Sequence, residues 1–146
     1  MSIQVLPLAT ISYETWLNLW LPYVDGQLEV DSPLHRHSYE RLVAGQELRG
    51  LVLQEGGAVL GLAHFYLHPS TWALQPACYI QDLYICPQAR GRGLARHLIE
   101  AVRSEAKAGG AYVLHWNTRA DNVAARALYE RIAQRSDRVM YLMPLA

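Results

Sequence analysis

The chain has 146 residues, 51% of them hydrophobic and 18% charged, a balance that suits a folded globular domain and excludes a disordered one. Thirteen Lys+Arg offset thirteen Asp+Glu, so the formal net charge is zero, which argues against nucleic acid as a partner because phosphate-backbone binders normally carry a basic face. The length predicts a single domain over 1–146 with a core of its own.

Two cysteines, Cys78 and Cys86, are too few for a disulfide framework or a zinc site and read as free thiols. The opening "MSIQVLPLATISYETW" lacks the basic and apolar regions of a signal peptide. No apolar run is long enough to span a bilayer. A soluble, cytoplasmic protein is the expectation.

In chain order, Ile3 to Leu8 predicts a first strand. Thr10 and Ser12 offer caps for a helix through "YETWLNLW", which Pro22 and Asp25-Gly26 are expected to end. A second helix is predicted from Ser38 to Ala44, with Gly45 beyond it. "LRGLVLQEGGAVLGLAHFYLH" is a hairpin pattern turning at Glu55-Gly56-Gly57, and "ACYIQDLYI" is another strand. From Gly93 to Ala108 the pattern turns helical, with Leu94, Ala95, Leu98, Ile99, Val102 and Ala106 on one face. Ala111 to Trp116 predicts a strand, Asp121 or Asn122 a cap, and "RVMYLMPL" a closing strand. The order β-α-α-β-β-β-α-β-α-β predicts an α+β domain with a mixed sheet and parallel pairing around the strand-helix-strand unit.

Gly91 and Gly93 stand where a strand gives way to a helix. Glycine there lets backbone N–H groups converge and a ligand approach closely, and the helix start adds partial positive charge. Such a turn favours an anion such as a pyrophosphate, with Arg90 and Arg92 as further donors. The alternative is a tight turn with solvated arginines. Neither G-x-x-x-x-G-K-[ST] nor G-x-G-x-x-G is present.

The segment Gln88-x-x-Gly91-x-Gly93, after "DLYICP" and before an amphipathic helix, resembles the acetyl-CoA-binding motif of the GNAT N-acetyltransferase family. "NTRADNVAARALYERIA" resembles that family's last motif, with Asn122 and Tyr129 at matching places. "HPSTWALQPACYIQDLYI" is similar to the branch containing histone- and polyamine-acetylating enzymes. The resemblance runs from about Glu47 to the C-terminus. It implies a mostly antiparallel central sheet flanked by helices, with parallel pairing around the CoA-binding unit. It also implies acetyl-CoA held along Tyr84, Ile85, Gln88, Arg90, Gly91, Arg92, Gly93, Leu94 and Ala95, with Asn122 and Arg126 contributing. Independently, Asn122, Arg126 and Tyr129 fall within roughly 60° on a helix, with Val123, Ala124, Ala127, Leu128 and Ile132 on the remaining, core-facing arc.

Acetyl transfer from CoA to an amine needs a polarised thioester carbonyl, a neutral amine and a protonated leaving thiolate. The resemblance implies that a backbone N–H near Tyr84 or Ile85 bonds the carbonyl, and that attack is direct, with no acyl-enzyme. Tyr129 is the expected general acid, since a phenol with pKa near 10 is protonated at neutral pH. The base is open. An alkylamine is neutral to only about one part in 10³ at pH 7, and polyamine-acetylating relatives carry Glu-Asp where this chain has Gln81-Asp82. Asp82 accepts the proton, His64 or His68 assists, or solvent does. A regular strand puts Gln81 and Asp82 on opposite faces, whereas a bulge brings both to one cleft. His35 and His37 have the spacing of a metal pair but no third ligand nearby, so no metal is expected.

The acceptor is expected to be a primary amine of a polyamine- or amino-acid-like metabolite; the alternatives are a protein lysine or N-terminus, or a non-catalytic CoA-binding module. Trp16, Trp20, Tyr23 and Trp72 are candidates to line its cleft or to pack in the core. A homodimer is expected to cover the edge at "RVMYLMPL".

Overall fold

Residues 2–146 are described by the computed structural model. The chain runs β1 (Ile3–Pro7), α1 (Tyr13–Val24), α2 (Leu34–Ala44), β2 (Arg49–Glu55), β3 (Ala58–His68), β4 (Ala77–Ile85), α3 (Leu94–Ala108), β5 (Val113–Trp116) and α4 (Val123–Ile132). The strands form one sheet in the order β1-β2-β3-β4-β5. Pairing is antiparallel from β1 to β4 and parallel between β4 and β5. The expected α+β class and mixed sheet are therefore observed.

Each element has a local cause. The β2–β3 hairpin turns on Gly56 (φ 56°) and Gly57 (φ 88°), the two positive dihedrals that a tight turn between twisted strands requires. Ser12 caps α1 by accepting from the Thr15 amide at 3.2 Å. In α3 the apolar stripe buries Leu94, Leu98, Ile99, Val102 and Ala106, each large side chain contributing roughly 1.5–3 kcal/mol. Successive residues of β3 serve opposite faces. His64 meets Trp16 of α1, while Phe65 and Leu67 point the other way, where Leu67 touches Gly109 at the end of α3. The sheet is thus held between α1 on one side and α3 on the other.

Four expectations are corrected. Pro22 lies inside α1 and does not end it; the helix stops at Asp25, left-handed at φ 49°, whose N–H bonds the Leu21 carbonyl. A proline in the last turn removes one helical bond without stopping the chain. The second helix begins at Leu34, not Ser38, because Pro33 precedes it and Ser32 Oγ accepts from the Leu34 amide at 3.2 Å.

The closing strand is absent. Residues 134–146 have no regular structure, and Val139, Tyr141, Leu142, Met143 and Leu145 are 74–90% exposed. Strand-forming side chains make no strand without a ladder partner, and nothing among the described residues pairs with the far edge of the four-residue β5. For the same reason the expected core-facing arc of α4 is largely open: Val123 is 75% exposed, and only Leu128 and Ile132 of that arc are half-buried.

Gly61 sets how closely β3 and β4 approach where β4 ends. A Cβ there would lie 2.6 Å from Ile85 Cδ1 and 2.8 Å from the Tyr84 carbonyl oxygen. Gly61→Ala is expected to destabilise the fold by about 1–3 kcal/mol, read as a lower urea midpoint; an unchanged midpoint contradicts this packing.

Candidate active site

The parallel pairing of β4 with β5 covers only Ala77–Ile80 against Val113–Trp116. β4 continues to Ile85, so Gln81 to Ile85 have no neighbouring strand on that side. The wedge left by this parting is a cavity of about 630 Å³. Gln81, Asp82 and Leu83 of β4 line it, with Trp20 and Tyr23 of α1, Trp116, Asn117, Thr118 and Arg119 after β5, and Asn122 and Tyr129 of α4.

A bulge aims the strand. His64 pairs with Asp82 and Phe65 with Ile80, leaving Gln81 as an extra residue without a partner. Strict alternation is broken at this point, and both Gln81 and Asp82 reach the cavity.

Asp82 is held from behind. His64 Nδ1 donates to Asp82 Oδ2 at 2.9 Å, and the Trp16 indole N–H donates to His64 Nε2 at 3.1 Å. Trp16 is fully buried, and His64 is 4% exposed. The rings of Trp16, Trp20 and Tyr23 continue as a stacked wall along α1, with centroids 5.4 and 5.6 Å apart. Burial, and then the neighbouring Asp82 carboxylate, push the Tyr23 hydroxyl well above the ordinary phenol range.

Tyr129 packs edge-on against Trp116 at 5.5 Å, and burial raises its pKa above the ordinary value of 10.0. Its phenol is therefore a retained proton facing the cavity at neutral pH. Asn122 caps α4 by accepting from the Ala125 amide at 3.3 Å and donates to Thr118 Oγ1 at 3.2 Å.

The strand-to-helix turn has the expected backbone. Gly91 (φ 79°) and Gly93 (φ 75°) are left-handed, nothing lies within 4 Å of either added Cβ, and α3 starts with no side-chain cap. Gln88 is exposed on the preceding turn, while Leu94 is buried and Ala95 half-buried. The arginines are already engaged: Arg90 Nε donates to the Ile85 carbonyl at 2.8 Å, and Arg92 pairs with Glu55 at 2.7 Å. That pairing lowers the Glu55 pKa.

Other candidates lie apart from the cavity. The side chains of Tyr84 and Ile85 are buried, so only their backbone can meet a ligand. Arg126 donates to the Ala120 carbonyl and Glu130, not into the wedge. His68 bonds His115 Nε2 at 3.1 Å, and Trp72 is 85% exposed on the loop after β3. His35 is buried, accepting from the Trp20 indole at 3.0 Å with its other nitrogen on the Glu29 carbonyl at 2.7 Å. No cluster of three or more His, Cys, Asp or Glu suited to a metal occurs among the described residues. Both cysteines are buried, and burial pushes the Cys78 thiol up to about 11. Among the lining residues that the sequence alone did not single out are Leu83, Trp116, Asn117, Thr118 and Arg119; for the last three the signal was the polar run between β5 and α4.

Comparison with known proteins identifies the family. The acetyltransferase (GNAT) family model matches residues 12–133. The D-amino-acid N-acetyltransferase of Saccharomyces cerevisiae is 33% identical over 132 residues, covering 88% of this chain and 82% of the relative. A thialysine N-ε-acetyltransferase of Mus musculus is 34% identical over 74 residues, 47% of this chain and 43% of that one. An aminoglycoside N-acetyltransferase solved in complex with CoA shares the fold, with a TM-score of 0.85 at 17% identity, covering 99% of this chain and 96% of that one. With its mixed sheet, its parted β4 and β5 and its glycine turn, the chain belongs to the GNAT family of acyl-CoA-dependent N-acyltransferases.

Proposed function

We propose that residues 1–146 form one acetyltransferase domain that moves an acetyl group from acetyl-CoA to the primary amine of a small, amino-acid-like or polyamine-like metabolite, by direct attack in a ternary complex. The observation that carries this reading is the wedge between β4 and β5, where an acidic group and a protonated phenol line one cavity. The activities of the yeast and mouse relatives, on D-amino acids and thialysine, support an amino-acid-like acceptor.

In this reading the CoA pyrophosphate sits on the turn from Gln88 to Ala95, where free N–H groups and the start of α3 favour an anion. The two arginines act mainly by shaping that turn: Arg90 ties it to the end of β4, and Arg92 ties it to Glu55. A backbone N–H of the unpaired stretch near Tyr84 or Ile85 bonds the thioester carbonyl as negative charge develops there. The acceptor ammonium enters beside Asp82. One N–H bond breaks, the proton passes to the carboxylate and on to solvent, and the freed lone pair attacks the carbonyl carbon. Collapse breaks the C–S bond, and Tyr129 protonates the departing thiolate. Its phenolate recovers a proton from the newly acylated nitrogen, directly or through water. Gln81 cannot take a proton and serves as a hydrogen-bonding wall. Arg119, which also lines the cavity, is paired with Asp121 at 3.2 Å and keeps further N–H donors for a carboxylate of the acceptor.

Tyr129→Phe is expected to lower kcat at least tenfold while leaving acetyl-CoA affinity almost unchanged by titration calorimetry; unchanged turnover removes Tyr129 from the mechanism. The same substitution reports on linkage. Because burial raises the Tyr129 pKa above 10.0, its contribution to stability is complete below that pH and is lost as pH rises through the folded value. The fall in Tm above about pH 10 is therefore expected to be shallower in Tyr129→Phe, and an equal slope contradicts the shift.

CoA-thiol release across D- and L-amino acids, polyamines and lysine peptides tests the acceptor class. Turnover of free amino acids or polyamines is expected; activity on peptides alone favours a protein acceptor, and none at all a non-catalytic CoA-binding module. A homodimer is part of the proposal, since the exposed apolar 139–145 segment gains cover in it; a monomer on gel filtration at working concentration would overturn that part.

A further inference from the structure

We propose that Trp16 is a positioning residue that sets the charge of the acceptor cleft, by holding His64 in its neutral Nδ1–H form so that Asp82 faces the cleft with its negative charge uncompensated. The inference deepens the proposed function and rests on the reading that Asp82 meets the acceptor amine.

The argument is one of donors and acceptors. An indole N–H can only donate. Its partner at 3.1 Å, His64 Nε2, therefore accepts and carries no proton. The single ring proton is left on Nδ1, which donates it to Asp82 Oδ2 at 2.9 Å. An imidazolium would put a second proton on Nε2, directly opposite the indole N–H. With His64 4% exposed, that proton has no route to solvent, and two buried donors would face each other unpaired.

Trp16 cannot readily step aside. It is fully buried, lies nearly parallel to Trp20 at 14°, and is backed by Tyr13 and Tyr39 at 6.0 and 5.7 Å. The titratable groups around His64 bring no positive charge of their own. Asp82 faces it from β4, and Tyr23 of α1 lies against that carboxylate with its pKa raised. On α2, Tyr39 donates to the Ile11 carbonyl. His35 is held neutral by the same logic, accepting from Trp20 through Nδ1 and donating to the Glu29 carbonyl through Nε2.

The charge matters because Asp82 is the one carboxylate among the residues lining the cavity, its strand neighbour is the uncharged Gln81, and the one cation of the lining, Arg119, is paired with Asp121 at 3.2 Å. Were His64 an imidazolium, the pair would be neutral overall, and a cationic acceptor would lose its attraction. Trp16 thus keeps the cleft anionic without itself touching the acceptor.

The test is ring ¹⁵N NMR of His64 in the full chain between pH 6 and 8, beside the pH dependence of KM for the amine turned over fastest in the thiol-release panel. In the wild type, one proton on Nδ1 is expected throughout. Trp16→Phe keeps most of the ring but removes the N–H. Imidazolium is then expected at the acid end, with KM at pH 6 raised roughly tenfold against the wild type and kcat less affected. His64→Asn, which keeps a neutral donor for Asp82, is expected to retain most of the activity that His64→Leu loses.

An imidazolium in the wild type at pH 7 would overturn the proposal, as would an unaltered ring spectrum and KM profile in Trp16→Phe. If Trp16→Phe fails to fold, the wild-type spectrum and the Asn/Leu pair still decide. Asp82→Asn checks the underlying reading separately: full turnover there removes Asp82 as the proton acceptor, whatever the His64 spectrum says.

Discussion

The early end of one strand pairing governs the rest of this molecule. β5 runs beside β4 for four residues and leaves it at Ile80 and Trp116, while β4 goes on to Ile85. A sheet interior normally satisfies its backbone on both sides. Here a stretch of β4 in the middle of the fold keeps free donors and acceptors on one side, and the gap beside it becomes the cavity. The glycine turn at Gly91 and Gly93 comes six to eight residues after the end of that strand, so one chain segment supplies both the cleft wall and the turn proposed to hold the pyrophosphate. α4 closes the other side of the wedge and brings Tyr129 to it.

Within that frame the polar groups are few, and each is constrained by neighbours. The bulge at Gln81 turns Asp82 into the cleft, and the Trp16–His64 chain fixes the carboxylate from behind. The aromatic wall of Trp20 and Tyr23 keeps the local dielectric low, which strengthens any interaction made with Asp82. Tyr129 is kept protonated by burial. An acidic residue and a neutral phenol in one cavity are what amine deprotonation and thiolate protonation require, and no thiol nucleophile is needed, consistent with the buried, weakly acidic Cys78.

Much of this was legible in the sequence, for identifiable reasons. The strand–turn–helix at Gln88 to Ala95 depends on local glycine chemistry and on the 3.6-residue stripe of α3, both of which single residues report directly. Tyr129 was legible through the resemblance of its motif to the family's last one, and its spacing from Asn122 on one helical face supported that. The bulge was not. It arises from register against β3, and a sequence with alternating residues carries no mark of where a partner strand slips. The pairing of His64 with Trp16 across 48 positions was likewise invisible, being a tertiary contact. The tail shows the opposite error. "RVMYLMPL" has strand composition, but composition supplies no ladder, so propensity overstated what the isolated chain forms. α2 starts earlier than expected because its start signal is Ser32-Pro33, ahead of the polar His35-Arg36-His37.

The central claim is that the wedge between β4 and β5 is where CoA and an amine meet. A crystal structure of the full chain with CoA bound tests it most directly. The account predicts the pyrophosphate on the Gly91–Gly93 turn, the pantetheine arm running along the unpaired end of β4, and the sulfur beside the Tyr129 hydroxyl. CoA bound elsewhere, or its sulfur remote from both Tyr129 and Asp82, would contradict it.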